Sequence, residues 1–237
     1  MSDDPYIWAL RVHWVAGGVA LLVAPLAMAV RKGGRWHRRW GKAFVYAMAI
    51  VCVTAIAISI PKDNYLMALV AVFSFHLTAT GWRALYLKKL HKGQRPTAVD
   101  WLLHGTAGAF NFCLLVWGLG GLLLGHDRDP FYVIFTVFGT IGTLLVVGQV
   151  RKFYQNKHER HQWFFDHIVG MIAGYIATVS AFSAVNLAPL VPDEFVAGAW
   201  LWPTLIGTPA IGLTTRYFRR KFSNGRTPHD SYKVKIR

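Results

Sequence analysis

Seven long apolar runs constrain the fold of this 237-residue chain more than any other feature. A membrane-spanning helix needs roughly 20 mostly apolar residues, and most of the runs reach that length. Only 16% of the residues are charged, against about 25% in an ordinary soluble domain. We therefore predict an all-α, polytopic membrane helical bundle in residues 1–218, followed by a basic tail in residues 219–237. The predicted spans are residues 8–30, 43–60, 65–87, 101–124, 131–150, 165–190 and 195–218.

The distribution of charge predicts how the bundle lies in the membrane. Of the 26 Lys and Arg residues, 23 fall in four segments that alternate with the spans, whereas seven of the 11 acidic residues fall in the other connections and the N-terminus. Basic loops face the cytoplasm, so the N-terminus is predicted outside and the C-terminus in the cytoplasm. The basic segments are residues 31–42, 83–95, 151–160 and 216–237.

The strong positive charge, +15 in total, has two interpretations, nucleic-acid binding and membrane topology. Every basic cluster adjoins a span, and no nucleic-acid-binding motif accompanies any of them. We predict no nucleic-acid partner and expect the basic loops to contact anionic lipid headgroups. The two cysteines, Cys52 and Cys113, form no CxxC or CxxCH motif, which argues against a zinc ribbon, a redox pair or a covalently attached haem.

Ionisable residues within spans are costly and are therefore the first candidates for a functional site. His104 and His167 each lie a few residues from the predicted cytoplasmic end of a span, so their depths match. Two imidazoles at one depth on facing helices can ligate a b-type haem, and we predict this pair as cofactor ligands, with His76 as a further candidate. The alternative for each histidine is a structural hydrogen bond to a neighbouring helix.

Asp100 extends this prediction to a metal site. It precedes His104 by four residues, a spacing that places both on one helix face, and we expect its carboxylate to orient the imidazole as second-shell carboxylates do for metal-bound His. A capped helix start is the alternative. The predicted metal set is His104, Asp100, His167 and His37, with zinc as the second choice after haem.

Three stretches carry a resemblance to a known family: HWVAGGVALLVAPLAMAVRKGGRWHRRWGK, FSFHLTATGWRAL and DHIVGMIAGYIATVSAFSAVN. They resemble a family of predicted bacterial membrane proteins catalogued as domain of unknown function 2306. The matching features are His13 at the start of the first span, the loop motif 32–41 around His37, and His167 at the start of a late span. The resemblance implies a bacterial inner-membrane protein. It also implies that the loop around His37 is a sequence motif of the family and not only a basic connection. Its glycines would let the loop fold back so that His37 approaches His167.

These observations predict an integral inner-membrane protein with a His-ligated cofactor site, either b-type haem or quinone-linked redox, near the cytoplasmic side. Three alternatives stay open at this point. They are a non-catalytic assembly protein, a His/Asp metal-dependent membrane hydrolase, and a proton-coupled transporter that uses His76 and Asn111. A homo-oligomer or a larger membrane complex also stays open.

Overall fold

The structure, a computed structural model, describes residues 4–62, 64–125 and 129–223. The described residues form seven α-helices and several short 3-10 turns, and they contain no β-strand. Six helices are long and apolar enough to cross a membrane, and α3 is the shortest of the seven. The helices are α1 (Pro5–Ala29), α2 (Arg35–Ser59), α3 (Tyr65–Arg83), α4 (Ala98–Leu123), α5 (Pro130–Phe153), α6 (Gln162–Asn186) and α7 (Asp193–Ser223).

Four helices begin at side chains that cap their free amide groups, and Asn64 is the capping residue of α3. The Asp4 side chain accepts a hydrogen bond from the Tyr6 amide, and Asp129 does the same for Phe131. A capping box opens α4, where Thr97 and Asp100 each accept from the backbone of the other. These caps explain why α1 and α4 start three residues, and α5 one residue, before the apolar runs that predicted them.

The second helix begins eight residues before the predicted second span. The structure begins α2 at Arg35, so most of the basic segment 31–42 is helical and His37 lies in the first turn. Gly33 has a φ of 70°, and this left-handed turn connects α1 to α2. Arg and Lys are good helix formers, so the low hydropathy before residue 43 ends the apolar run without ending the helix.

The last helix also extends beyond its predicted span. It continues through Pro203 and Pro209 to Ser223, so residues 219–223 of the predicted tail are helical. Residues 224–237 lie outside the described residues. The sixth helix ends before its predicted span does. It stops at Asn186 and a 3-10 turn covers Ala188–Leu190, because Pro189 and Pro192 oppose a continued helix.

The bundle is organised around α3 and α6, which pack against each other along much of their length. Hairpins α1–α2 and α4–α5 flank this pair, and α7 packs on α6. The backbones of α3 and α6 meet at Gly81 and Gly170, where a Cβ on Gly170 would lie 2.5 Å from the Gly81 Cα. Small residues at a membrane helix crossing allow this close approach, which fixes the side chains beside it.

Candidate functional site

A large cavity lies at the end of the bundle that carries the basic connections, which we call the basic end. Its volume is about 560 Å³, within the range of small-molecule and cofactor sites. Residues from α1, α2, α6 and α7 and from the C-terminal end of α3 line it, and most of them are apolar or aromatic. Two histidines, His37 and His167, are also part of the lining.

Backbone hydrogen bonds fix the tautomers of His37 and His167 when their rings are neutral. Nδ1 of His37 lies 2.9 Å from the Ala27 carbonyl oxygen, and Nδ1 of His167 lies 2.9 Å from the Gly81 carbonyl oxygen. A carbonyl oxygen only accepts, so each Nδ1 carries the proton and donates. The Nε2 atom of each neutral ring is then left with a free lone pair, and it has no hydrogen-bond partner among the described residues. This pattern is typical of metal-bound imidazoles.

The two rings lie next to each other across helices α2 and α6. Their centroids are 6.3 Å apart and their planes are inclined by 79°. The predicted approach of His37 to His167 is therefore confirmed, although it is the helical start of α2 and not a folded loop that places His37 there. A nitrogen–metal bond is about 2 Å long and the ring centre lies roughly 1 Å behind the nitrogen, so two rings on opposite sides of one ion have centroids roughly 6 Å apart.

Four cations accompany the two histidines, and the described lining contains no acidic residue. The Lys88 Nζ lies 4.8 Å from the centre of the Trp163 ring, a cation–π contact that holds this lysine beside the cavity. Lys32 donates a hydrogen bond to the Met28 carbonyl oxygen, and burial lowers the pKa of its ammonium group. An apolar cavity with only positive charge suits an amphipathic anion. The four cations are Lys32, Arg38, Lys42 and Lys88.

The structure does not pair His104 with His167 as the sequence predicted. His104 instead faces His76, with its Nδ1 atom 3.1 Å from the His76 Nε2 atom and the ring planes nearly perpendicular. Both rings are buried between α3 and α4. The four histidines thus form two separate pairs, His37 with His167 and His76 with His104. The role of His104 and His76 as cofactor ligands stays a prediction.

The expected interaction of Asp100 with His104 is replaced by an ion pair. The fully buried Asp100 carboxylate accepts hydrogen bonds from Arg83 Nε at 2.6 Å and Nη2 at 3.0 Å, and from the Thr97 amide and hydroxyl. Both oxygens are therefore occupied, and Asp100 closes the α3–α4 connection while it caps α4. An adjacent pair joins Lys152 to Asp166 at 2.5 Å, with Gln162 donating to the same oxygen.

Sequence reasoning missed the cavity itself. Lys88 was assigned only to membrane topology, and Trp82 and Trp163 were not among the candidates, yet all three line it together with the two histidines. Their common position beside the ends of apolar runs was a usable signal, but one sequence does not say which helix ends are neighbours. Within residues 4–62, 64–125 and 129–223, no three His, Cys, Asp or Glu side chains are placed to hold a metal ion together.

The remaining histidine noted in the sequence, His13, lies toward the opposite end of the bundle. Its Nδ1 atom is 3.0 Å from the Thr54 hydroxyl oxygen, which itself donates to the Ile50 carbonyl oxygen. This contact ties α1 to α2 and leaves His13 apart from both histidine pairs.

Comparisons of the chain with protein-family models, with curated proteins and with solved structures find no match.

Proposed function

We propose that this chain is a b-type cytochrome of the membrane, in which His37 and His167 are the two axial ligands of one haem held in the cavity at the basic end. The observation that carries the proposal is the pair of imidazoles with both Nδ1 atoms committed to carbonyl oxygens. A site with two protein ligands and no third His, Cys, Asp or Glu among the described residues suits a macrocycle that supplies the other four donors.

The surroundings of the pair support haem over a bare metal ion. The apolar and aromatic lining matches the porphyrin faces, and the four cations at the rim match its two propionates. Zinc as a catalytic ion needs three protein ligands and an open position, which this pair does not offer. A membrane hydrolase is therefore a weaker proposal than a cytochrome.

A haem held by both His37 and His167 would have no coordination position left for oxygen. Such a haem transfers electrons rather than binding oxygen, with its potential set by the ligands, by burial and by the nearby charges. The four cations of the lining would stabilise the more negative, reduced form of a haem held here and so raise its potential. The proposed activity is one-electron transfer at the basic face of the membrane.

We further propose that the chain crosses the bacterial inner membrane seven times with its basic end in the cytoplasm, in keeping with the family resemblance. The test uses a background that lacks both native cysteines, with Gln155→Cys at the basic end and Glu194→Cys at the other. An impermeant maleimide added to whole cells should label Glu194→Cys and leave Gln155→Cys unlabelled. The opposite labelling would reverse the orientation.

Absorption spectra of the detergent-purified protein, oxidised and then reduced with dithionite, test the haem. We expect a Soret band that shifts on reduction, with haem in a one-to-one ratio to protein by pyridine haemochrome. His37→Ala and His167→Ala should each abolish the six-coordinate spectrum. His104→Ala, a matched control within the other histidine pair, should retain it.

Two results would overturn the assignment. A folded, monodisperse protein that stays colourless when purified from haem-sufficient cells has no haem site. A spectrum lost in His104→Ala and retained in His37→Ala would instead move the ligands to the pair that the sequence predicted.

A further inference from the structure

Unpaired polar atoms lie buried on four helices of the bundle, apart from the two histidines of the cavity. Six buried side-chain nitrogen and oxygen atoms among the described residues have no hydrogen-bond partner, and all of them lie on α3, α4, α5 or α6. An unpaired polar atom at membrane depth is costly, and internal water is the usual remedy. The six atoms are His76 Nδ1, Thr80 Oγ1, Asn111 Oδ1 and Nδ2, Thr143 Oγ1 and Ser180 Oγ.

A small cavity at the basic end is lined in part by Thr80, which carries one of the unpaired atoms. Its volume of about 10 Å³ is close to that needed for one water molecule, and Thr80, His104, Lys152 and Asp166 are among its lining residues. His104 uses Nδ1 to contact His76, so its Nε2 atom is the ring nitrogen left for a water molecule in this cavity. A water molecule here would join the imidazole to the hydrated end of the bundle.

The His76–His104 contact leads from this cavity into the bundle. His76 lies seven residues before the end of α3, or about 10 Å inside at 1.5 Å per residue, and its Nδ1 atom is one of the unpaired atoms. Asn111, which is fully buried, lies eleven residues beyond Asp100 and so about 16 Å inside, near the middle of a hydrocarbon core of about 30 Å. Polar groups without partners thus continue inward from the histidine pair.

The charges around the pair balance each other. Arg83 on α3 is paired with Asp100 on α4, and Lys152 on α5 is paired with Asp166 on α6. No described carboxylate is left over to hold a permanent proton on either imidazole. Two neutral rings sharing one N–H···N hydrogen bond suit the transfer of a proton better than its storage.

We propose that α3–α6 form a proton-conducting path from the basic end into and across the bundle, with His104 and His76 as its relay. A proton from water binds His104 Nε2, and the proton on His104 Nδ1 passes to His76 Nε2. The proton on His76 Nδ1 then leaves to water near Asn111. Each ring takes up one proton and releases one, so the transfer needs no other reactant, and a return of both rings to the starting tautomers resets the pair.

Proton flux into proteoliposomes tests the path directly and does not depend on haem. Vesicles that contain a pH-sensitive dye are loaded with potassium, and valinomycin imposes an inward driving force on protons. We expect the wild-type protein to acidify the vesicles faster than protein-free vesicles. His76→Gln and His104→Gln, which keep a hydrogen-bonding side chain of similar size, should lower this flux at least tenfold.

The matched control is His13→Gln, which alters a partly buried histidine with a single hydrogen bond at the other end of the bundle and should leave the flux unchanged. Thr80→Val provides a second test if either glutamine variant fails to fold, since it removes only a hydroxyl group and should slow the flux severalfold. A wild-type flux equal to that of empty vesicles would overturn the proposal. So would glutamine variants that conduct as well as the wild type.

Discussion

Gly170 lies where α3 and α6 touch through their backbones, and we predict that Gly170→Ala forces these two helices apart. The added Cβ would lie 2.5 Å from both Cα and N of Gly81 and 2.8 Å from the Leu77 carbonyl oxygen. Carbon atoms pack comfortably at about 3.5–4.0 Å, so the helices must separate by roughly 1 Å. Neither partner can yield by rotating a side chain, because the atoms that clash belong to the backbone.

The loss of stability in Gly170→Ala is best measured against the same substitution at a glycine with open space around it. Overpacking a tight contact destabilises a protein by about 1–3 kcal/mol. Alanine also favours a helix over glycine by up to about 1 kcal/mol, and the control Gly148→Ala shares this gain, because nothing lies within 4 Å of its added Cβ. The free energy of unfolding of Gly170→Ala should therefore be about 1–3 kcal/mol below that of Gly148→Ala.

The same change should reach the proposed haem site. The His167 Nδ1 atom donates to the Gly81 carbonyl oxygen at 2.9 Å, and a movement of roughly 1 Å takes this pair beyond hydrogen-bonding distance. Unfolding in mixed micelles by added dodecyl sulfate measures the stability difference, and the haem content of the two variants measures the effect on the site. A Gly170→Ala protein as stable as Gly148→Ala, with equal haem content, would refute the α3–α6 contact and the account built on it.

Two further substitutions test the polar contacts that hold the helices together. Asp100→Asn removes the charge from a fully buried carboxylate paired with Arg83 and should lower the free energy of unfolding by about 3 kcal/mol. The control Arg219→Ala breaks an exposed pair with Glu159 and should change the free energy of unfolding by less than about 1 kcal/mol. Equal effects would contradict the burial of Asp100. Ser183→Ala removes two hydrogen bonds between α6 and α7 and should cost about 1 kcal/mol in the same dodecyl sulfate titration, and an unchanged stability would contradict those bonds.

The all-helical architecture could be predicted from the sequence because a membrane span requires a long apolar helix, although six rather than seven of the described helices are long and apolar enough to be candidate spans. Each run that the hydropathy pattern selected contains a helix in the structure. The ends were harder to predict, since hydropathy reports the membrane boundary and not the last helical hydrogen bond. Arg35 shows the difference: it begins α2 eight residues before the apolar run, because a basic side chain is no obstacle to a helix.

Contacts between helices could be predicted only in part. A helix shows which residues share a face, so Asp100 and His104 were placed together, but it does not show which neighbouring helix that face meets. In the structure, Arg83 pairs with the Asp100 carboxylate and His76 contacts the His104 imidazole. Both partners lie on α3. The approach of His37 to His167 was the exception, because the glycine-containing motif between α1 and α2 indicated a close return of the chain.

The electron paramagnetic resonance spectrum of the oxidised, purified protein tests the central claim most directly. Two axial imidazoles make ferric haem low-spin, and planes inclined by 79° should give the strongly anisotropic signal of nearly perpendicular ligands. We expect this signal in the wild-type protein and its loss in His37→Ala and in His167→Ala. A high-spin signal, or no ferric haem signal from folded protein, would contradict haem ligation by His37 and His167.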